Sequence, residues 1–123
     1  MDIQFTDREI DVMEVLWERG PSLVGDVRAA LKDDLAYTTV LTILRNLEAK
    51  GYVRHEEEGR AHRYFPKVRQ QVAQRNALRR LIDTLFVGSP EALLAQLVDE
   101  HDLTADDLRR MARKLGRSDK DGE

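Results

Sequence analysis

Leu35-Ala-Tyr-Thr-Thr-Val-Leu-Thr-Ile-Leu-Arg-Asn-Leu-Glu-Ala-Lys-Gly51 is the stretch from which the fold is read. Val40, Ile43, Leu44 and Leu47 recur at helical spacing, so one stripe can be buried, and Gly51 offers the left-handed residue that ends a helix. The spacing predicts a helix from Tyr37 to Lys50. The other face carries Tyr37, Thr38, Leu41, Thr42, Arg45 and Asn46, where a solvated helix would carry Glu and Lys. Thr is a mediocre helix former because branching at Cβ stiffens χ1, so Thr38, Thr39 and Thr42 together ask for a reason beyond solvation. Such a face suits the DNA major groove. There Thr can bond base edges or phosphates and meet a thymine methyl, and Arg45 can reach a guanine or a phosphate.

Upstream, Thr6-Asp-Arg-Glu9 has the form of a capping box and starts a helix whose apolar stripe is Ile10, Met13, Leu16 and Trp17. Gly20-Pro21 ends it. Ser22 to Val24 can form a very short strand before Val24, Val27, Ala30 and Leu31 mark a second helix. Asp33-Asp34 is read as loop, because two acids at a helix C-terminus oppose its dipole. Two short helices joined this tightly, the second with a reserved polar face, are the pattern of a helix-turn-helix.

Downstream, Tyr52, Val53, Tyr64 and Phe65 are strand formers at the two ends of a charged segment broken by Gly59, which predicts a hairpin. A helix-turn-helix followed by a hairpin is a winged helix. Arg54, Arg60, His62 and Arg63 are placed to touch phosphate or the minor groove, with Arg45 and Lys50 adding to the phosphate contacts. Arg60 and Arg63 can equally ladder with Glu56, Glu57 and Glu58 across the hairpin, and both roles can hold at once. His55 and His62, without Cys or a placed carboxylate, fall short of the three or four ligands a metal site needs.

From Lys67 the pattern is purely helical. Val68, Val72, Ala73, Leu78, Leu81, Ile82, Leu85 and Phe86 mark one long helix up to Gly88. Ser89-Pro90-Glu91 starts a second, with Leu93, Leu94, Leu97 and Val98. Leu103-Thr104 with Asp107 caps a third, with Leu108, Met111, Ala112 and Leu115, and Gly116 onward reads as a frayed polar tail. These wide apolar faces call for a second copy of the chain; a monomeric three-helix appendage would leave them exposed. The expected fold is therefore mainly α with a small β-hairpin wing: a winged-helix DNA-binding domain over residues 1–66 and a three-helix dimerisation region over 67–123.

Net charge is −3, but residues 36–80 hold ten bases and four acids between flanks that are each net acidic. Such a band suits a polyanion. With no cysteine, disulfides, thiol catalysis and Cys-ligated metals are excluded, and a cytoplasmic setting is expected. No apolar run approaches the roughly 18 residues of a membrane span, and the N-terminus lacks the marks of a secretion signal. No phosphate loop, nucleophile elbow or clustered His and carboxylate set points to an enzyme, and no cofactor is implied. A winged-helix protein-interaction module, or a repressor that senses a small molecule, are the other classes the sequence leaves open.

Phe5 to Trp17, Gly20-Pro21, Leu35 to Gly51 with its Ala-Tyr-Thr-Thr-Val core, and Gly59-Arg-Ala-His-Arg-Tyr64 together resemble the BlaI/MecI/CopY family of bacterial repressors. The resemblance implies a dimeric winged-helix repressor on a palindromic double-stranded operator, reading DNA from Thr38, Thr39 and Thr42. It also implies a sensor metalloprotease as a candidate partner, cutting an Asn-Phe bond whose place here is taken by Gln96-Leu97. Copper-sensing members carry Cys-x-Cys pairs, which this chain lacks. Many members have Thr or Ser just before the second helix, where this chain has Leu23.

Overall fold

The computed structural model describes the backbone of residues 3–121 and the side chains of residues 3–116. The order of elements is α1 (Asp7–Arg19), β1 (Ser22–Leu23), α2 (Val24–Ala30), α3 (Tyr37–Ala49), β2 (Val53–Glu58), β3 (Ala61–Pro66), α4 (Gln70–Leu85), α5 (Pro90–His101) and α6 (Ala105–Asp121). One three-stranded antiparallel sheet, in the order β1-β3-β2, completes a winged helix-turn-helix. The chain divides into two compact units, Met1–Leu78 and Arg79–Glu123, with the boundary inside α4. Among the described residues no single helix is long and apolar enough to cross a membrane.

In the first unit, Thr6 caps α1 reciprocally: its hydroxyl accepts from the Glu9 N–H at 3.2 Å, and the Glu9 carboxylate accepts from the Thr6 N–H at 2.8 Å. Gly20, at φ +82°, turns the chain out of α1 into β1. Leu23 stands at the N-cap of α2 and provides no side-chain acceptor. The core is Val12, Met13 and Leu16 from α1, Val24 and Val27 from α2, Val40, Leu44 and Leu47 from α3, and Val53 and Tyr64 from the hairpin. Val68 and Ala73 also close on it, Val68 from the three residues that precede α4.

The stripe of α1 differs from the expected one. Ile10 is 38% exposed, whereas Glu9, Val12 and Val15 are buried beside Met13 and Leu16. The helix is covered by both α2 and α3, so the buried sector is wider and rotated toward Glu9, whose carboxylate is taken inward by its cap. Trp17 is half-buried, donates its indole N–H to the Val68 carbonyl at 2.8 Å, and meets Phe5 edge-on at 6.1 Å.

α3 ends in a complete Schellman motif. The N–H of Gly51, at φ +84°, donates to the Glu48 carbonyl at 2.9 Å, and the N–H of Tyr52 donates to the Leu47 carbonyl at 3.0 Å. Tyr52 then joins three segments: its hydroxyl accepts from the Gln4 N–H at 3.0 Å and its carbonyl from the Lys67 N–H at 2.8 Å.

In the second unit, Ser89 caps α5 by accepting from the Ala92 N–H at 3.1 Å, with Pro90 in the first turn. Thr104 and Asp107 form the reciprocal cap of α6 at 3.1 and 2.9 Å. α6 does not fray at Gly116 but continues to Asp121. Glycine inside a helix costs only about 1 kcal/mol, and Gly116 has no left-handed φ that would stop it. The last two residues of the expected tail, Gly122 and Glu123, lie outside the described residues.

Candidate nucleic-acid interface

The outward face of α3 is set by the four residues buried behind it. With Val40, Ile43, Leu44 and Leu47 in the core, Tyr37, Thr38, Thr39, Thr42, Arg45 and Asn46 are exposed together. Leu41 is half-buried and packs against the core, so it lies at the edge of that face. The Thr42 hydroxyl donates to the Thr38 carbonyl one turn back at 2.9 Å, which fixes its rotamer and leaves its oxygen free to accept. Ala36 is the N-cap and supplies no side-chain acceptor, and no acid stands in the first turn. The helix thus forgoes about 1 kcal/mol of capping and keeps its N-terminal N–H groups open to an outside acceptor.

The wing presents two chemically different faces, because β2 and β3 alternate their side chains in an antiparallel register of Val53 with Pro66 through Glu58 with Ala61. One face is an Arg–Glu ladder. Arg54 bonds Glu56 at 2.9 Å and lies 4.1 Å over the Phe65 ring. Arg63 bonds Glu58 at 2.7 Å and donates to the Pro21 carbonyl at 3.2 Å. The Arg63–Glu58 hydrogen bond holds the Glu58 carboxyl below its ordinary value and raises the guanidinium. The other face carries His55, stacked on His62 at 4.6 Å, above the buried Tyr64. Burial pushes the Tyr64 phenol up. Arg60 stands exposed at the two-residue tip beside Gly59, whose φ is +64°. Among the described residues, Arg45 and Arg60 have no carboxylate at ion-pair distance.

Three features at this site lie outside the expectations drawn from the sequence. Lys50, expected among the phosphate contacts, instead donates to the Glu9 carboxylate at 2.7 Å. Glu9 is buried, and a buried carboxylate needs a counter-charge. Burial would raise its pKa, but Lys50 and the Thr6 N–H outweigh that and hold it below the ordinary value. Glu48 accepts from both the backbone N–H and the ring Nδ1 of His55, at 3.1 and 2.6 Å. The third is the missing cap at Ala36. Its signal is legible in the sequence as an Ala where Ser, Thr or Asp usually stands.

Of the residues expected to dimerise, Leu78, Leu81, Leu85, Leu94, Leu97, Met111 and Leu115 are exposed, Leu85 by 72%. Ile82, Phe86, Leu93, Val98 and Leu108 are half-buried. The Gln96–Leu97 bond lies within α5, with Gln96 donating to Glu100 at 3.2 Å.

The profile of the family described as "Penicillinase repressor" matches residues 5–117. "Transcriptional regulator BlaI" of Mycobacterium tuberculosis is 38% identical over 114 residues, covering 89% of this chain and 83% of that protein. The solution structure of the DNA binding domain of the repressor BlaI superposes with a TM-score of 0.53 at 28% identity, over 58% of this chain and 90% of that one. The solution structure of Bacillus licheniformis BlaI, monomeric and in complex with the blaP half-operator, gives 0.50 at 28% identity over the same shares.

Proposed function

Since this chain belongs to the penicillinase repressor family, we propose that it is a homodimeric repressor that reads a palindromic operator with α3 and braces itself on the backbone with the wing. The observation that carries this reading is the α3 face: exposed hydroxyls, an amide and a guanidinium with no carboxylate at ion-pair distance among the described residues, on a helix with an uncapped, acid-free start. Thr38, Thr39 and Thr42 provide the sequence-dependent contacts. Arg45 and Arg60 provide the freely available phosphate contacts, and Arg54 and Arg63 join when phosphate displaces their glutamates.

Exposed leucines and Met111 along α4, α5 and α6 support the second copy, since a lone chain would leave several large apolar side chains in water. A twofold dimer presents two reading helices to half-sites about 34–36 Å apart, or multiples of that spacing. Occupying a promoter in this way excludes polymerase.

A gel-shift comparison of a duplex enriched from a randomised pool against a scrambled duplex, at two salt concentrations, tests the reading. The enriched duplex should bind about 10³-fold or more tightly than the scrambled one, and log affinity should fall with log salt at about −0.9 per phosphate contact. Equal affinity for both duplexes would return the chain to a protein-interaction module. Sedimentation of the full chain should give twice the monomer mass.

A further inference from the structure

Glu56 to Glu58 and the paired wing arginines are absorbed by the reading above; the Glu48–His55–His62 cluster is not. Glu48 lies in the last turn of α3 and His55 on β2, so their contact joins the reading helix to the wing. It is a two-point grip. The carboxylate accepts from the His55 N–H at 3.1 Å and lies 2.6 and 2.8 Å from Nδ1. A carboxylate only accepts, so Nδ1 carries the proton. Both side chains are 31% exposed, which leaves the contact partly shielded from competing water. His62 stacks on the His55 ring at 4.6 Å and 18°, and the Tyr64 ring lies tilted against it at 5.4 Å.

We infer that Glu48 and His55 are positioning residues for DNA recognition: they pin the wing to the end of the reading helix and so set where Arg60 and its neighbours meet the backbone. The inference rests on the operator-binding reading. The short Gly51–Tyr52 connection permits only a few angles between α3 and the hairpin, and the pin selects one. A wing misplaced by an ångström loses phosphate contacts that the helix alone cannot replace.

The grip is one that a proton would strengthen: Nδ1–H already bonds an ionised carboxylate, and a second proton on the ring would turn that bond into an ion pair. The groups facing the ring are Glu48 from α3, His62 and Tyr64 from β3, and, opposite His62 on β2, Glu57. Arg45 and Tyr37 of α3 lie near the Tyr64 hydroxyl. Glu48 is the only one of these that touches the ring with a full opposite charge. Protons on both His55 and His62 would put two like charges face to face in the stack.

The test measures binding of the full-length chain to the enriched and scrambled duplexes at about pH 6 and about pH 8, either side of the usual imidazole range. Wild type should discriminate between the duplexes several-fold better at the lower pH. Glu48→Gln keeps an acceptor for the His55 N–H but removes the charge, and His55→Asn removes the ring. Both should lower discrimination about three- to ten-fold and remove its pH dependence, with melting curves close to wild type. His62→Asn should retain the dependence. A pH response that survives Glu48→Gln, or that His62→Asn alone abolishes, would overturn the inference, because the proton would then act at the DNA. An enriched duplex bound alike by wild type and Glu48→Gln overturns the positioning role alone; a pool that enriches nothing overturns the repressor reading and the positioning role with it.

Discussion

The α3 face and the wing hold their arginines in opposite electrostatic states. On α3, Arg45 stands among hydroxyls and an amide without a carboxylate at ion-pair distance among the described residues. On the wing, Arg54 and Arg63 are each already bonded to a glutamate of the same hairpin. A phosphate arriving at α3 meets open donors, whereas one arriving at Arg63 has to displace Glu58 and replaces one charge-assisted bond by another. The net gain there is small. Counting arginines therefore overstates what the wing contributes, and the tip residue Arg60 is the exception.

The largest effect expected from breaking this contrast comes from beneath the helix. Leu44 is fully buried, and Leu44→Ala should cost about 2–5 kcal/mol of stability in urea unfolding, with the reading face lost only as the domain unfolds. Next, Thr42→Val removes the hydroxyl at nearly constant volume. It should relax preference at one base pair by about 1–3 kcal/mol, read as binding to a panel of singly altered duplexes, while scrambled DNA is bound as before. Arg60→Gln should do the converse, weakening all sequences alike and lowering the salt slope by about one. Arg63→Gln sharpens the comparison, because its salt slope should fall by clearly less than that of Arg60→Gln. Equal losses would mean that the Glu58 pairing does not mask the charge.

The smallest effect is on acid stability. Burial raises the Glu9 pKa, but Lys50 and Thr6 bring the folded value below the ordinary 4.5. A depressed carboxyl stabilises the fold above its unfolded pKa and loses that contribution as pH falls through the folded value. The stability difference between wild type and Glu9→Gln should therefore be flat above about pH 5 and shrink below it. A difference that grows on acidification would contradict the assignment.

Much of this was legible in sequence because it is local. The Thr6, Ser89 and Thr104 caps, the α3 stripe and its glycine ending, and the hairpin around Gly59 all depend on residues within a few positions of each other. What escaped depends on the angle at which elements meet. Lys50 and Glu9 are 41 residues apart, and only the packing of α1 on α3 brings them together. Ile10 fits the α1 periodicity as well as Val12 and Val15 do, so spacing alone could not say which sector two neighbouring helices would cover. Glu48 is close to His55 in sequence, yet an acid near a helix end and a histidine in a strand form no pattern until the turn between them is fixed. Gly116 misled in the other direction, since glycine can end a helix but does so only in a left-handed conformation.

The joint at Tyr52 has a consequence for how such a protein can be altered. Because that residue ties the end of α3 to Gln4 on one side and to Lys67 on the other, an insertion or deletion in the Gly51–Tyr52 connection would unpick three segments at once. The Gly59–Arg60 tip, exposed and tied to nothing comparable, tolerates changes of length. New operator footprints would therefore be engineered by lengthening the far end of the hairpin, with its root left alone.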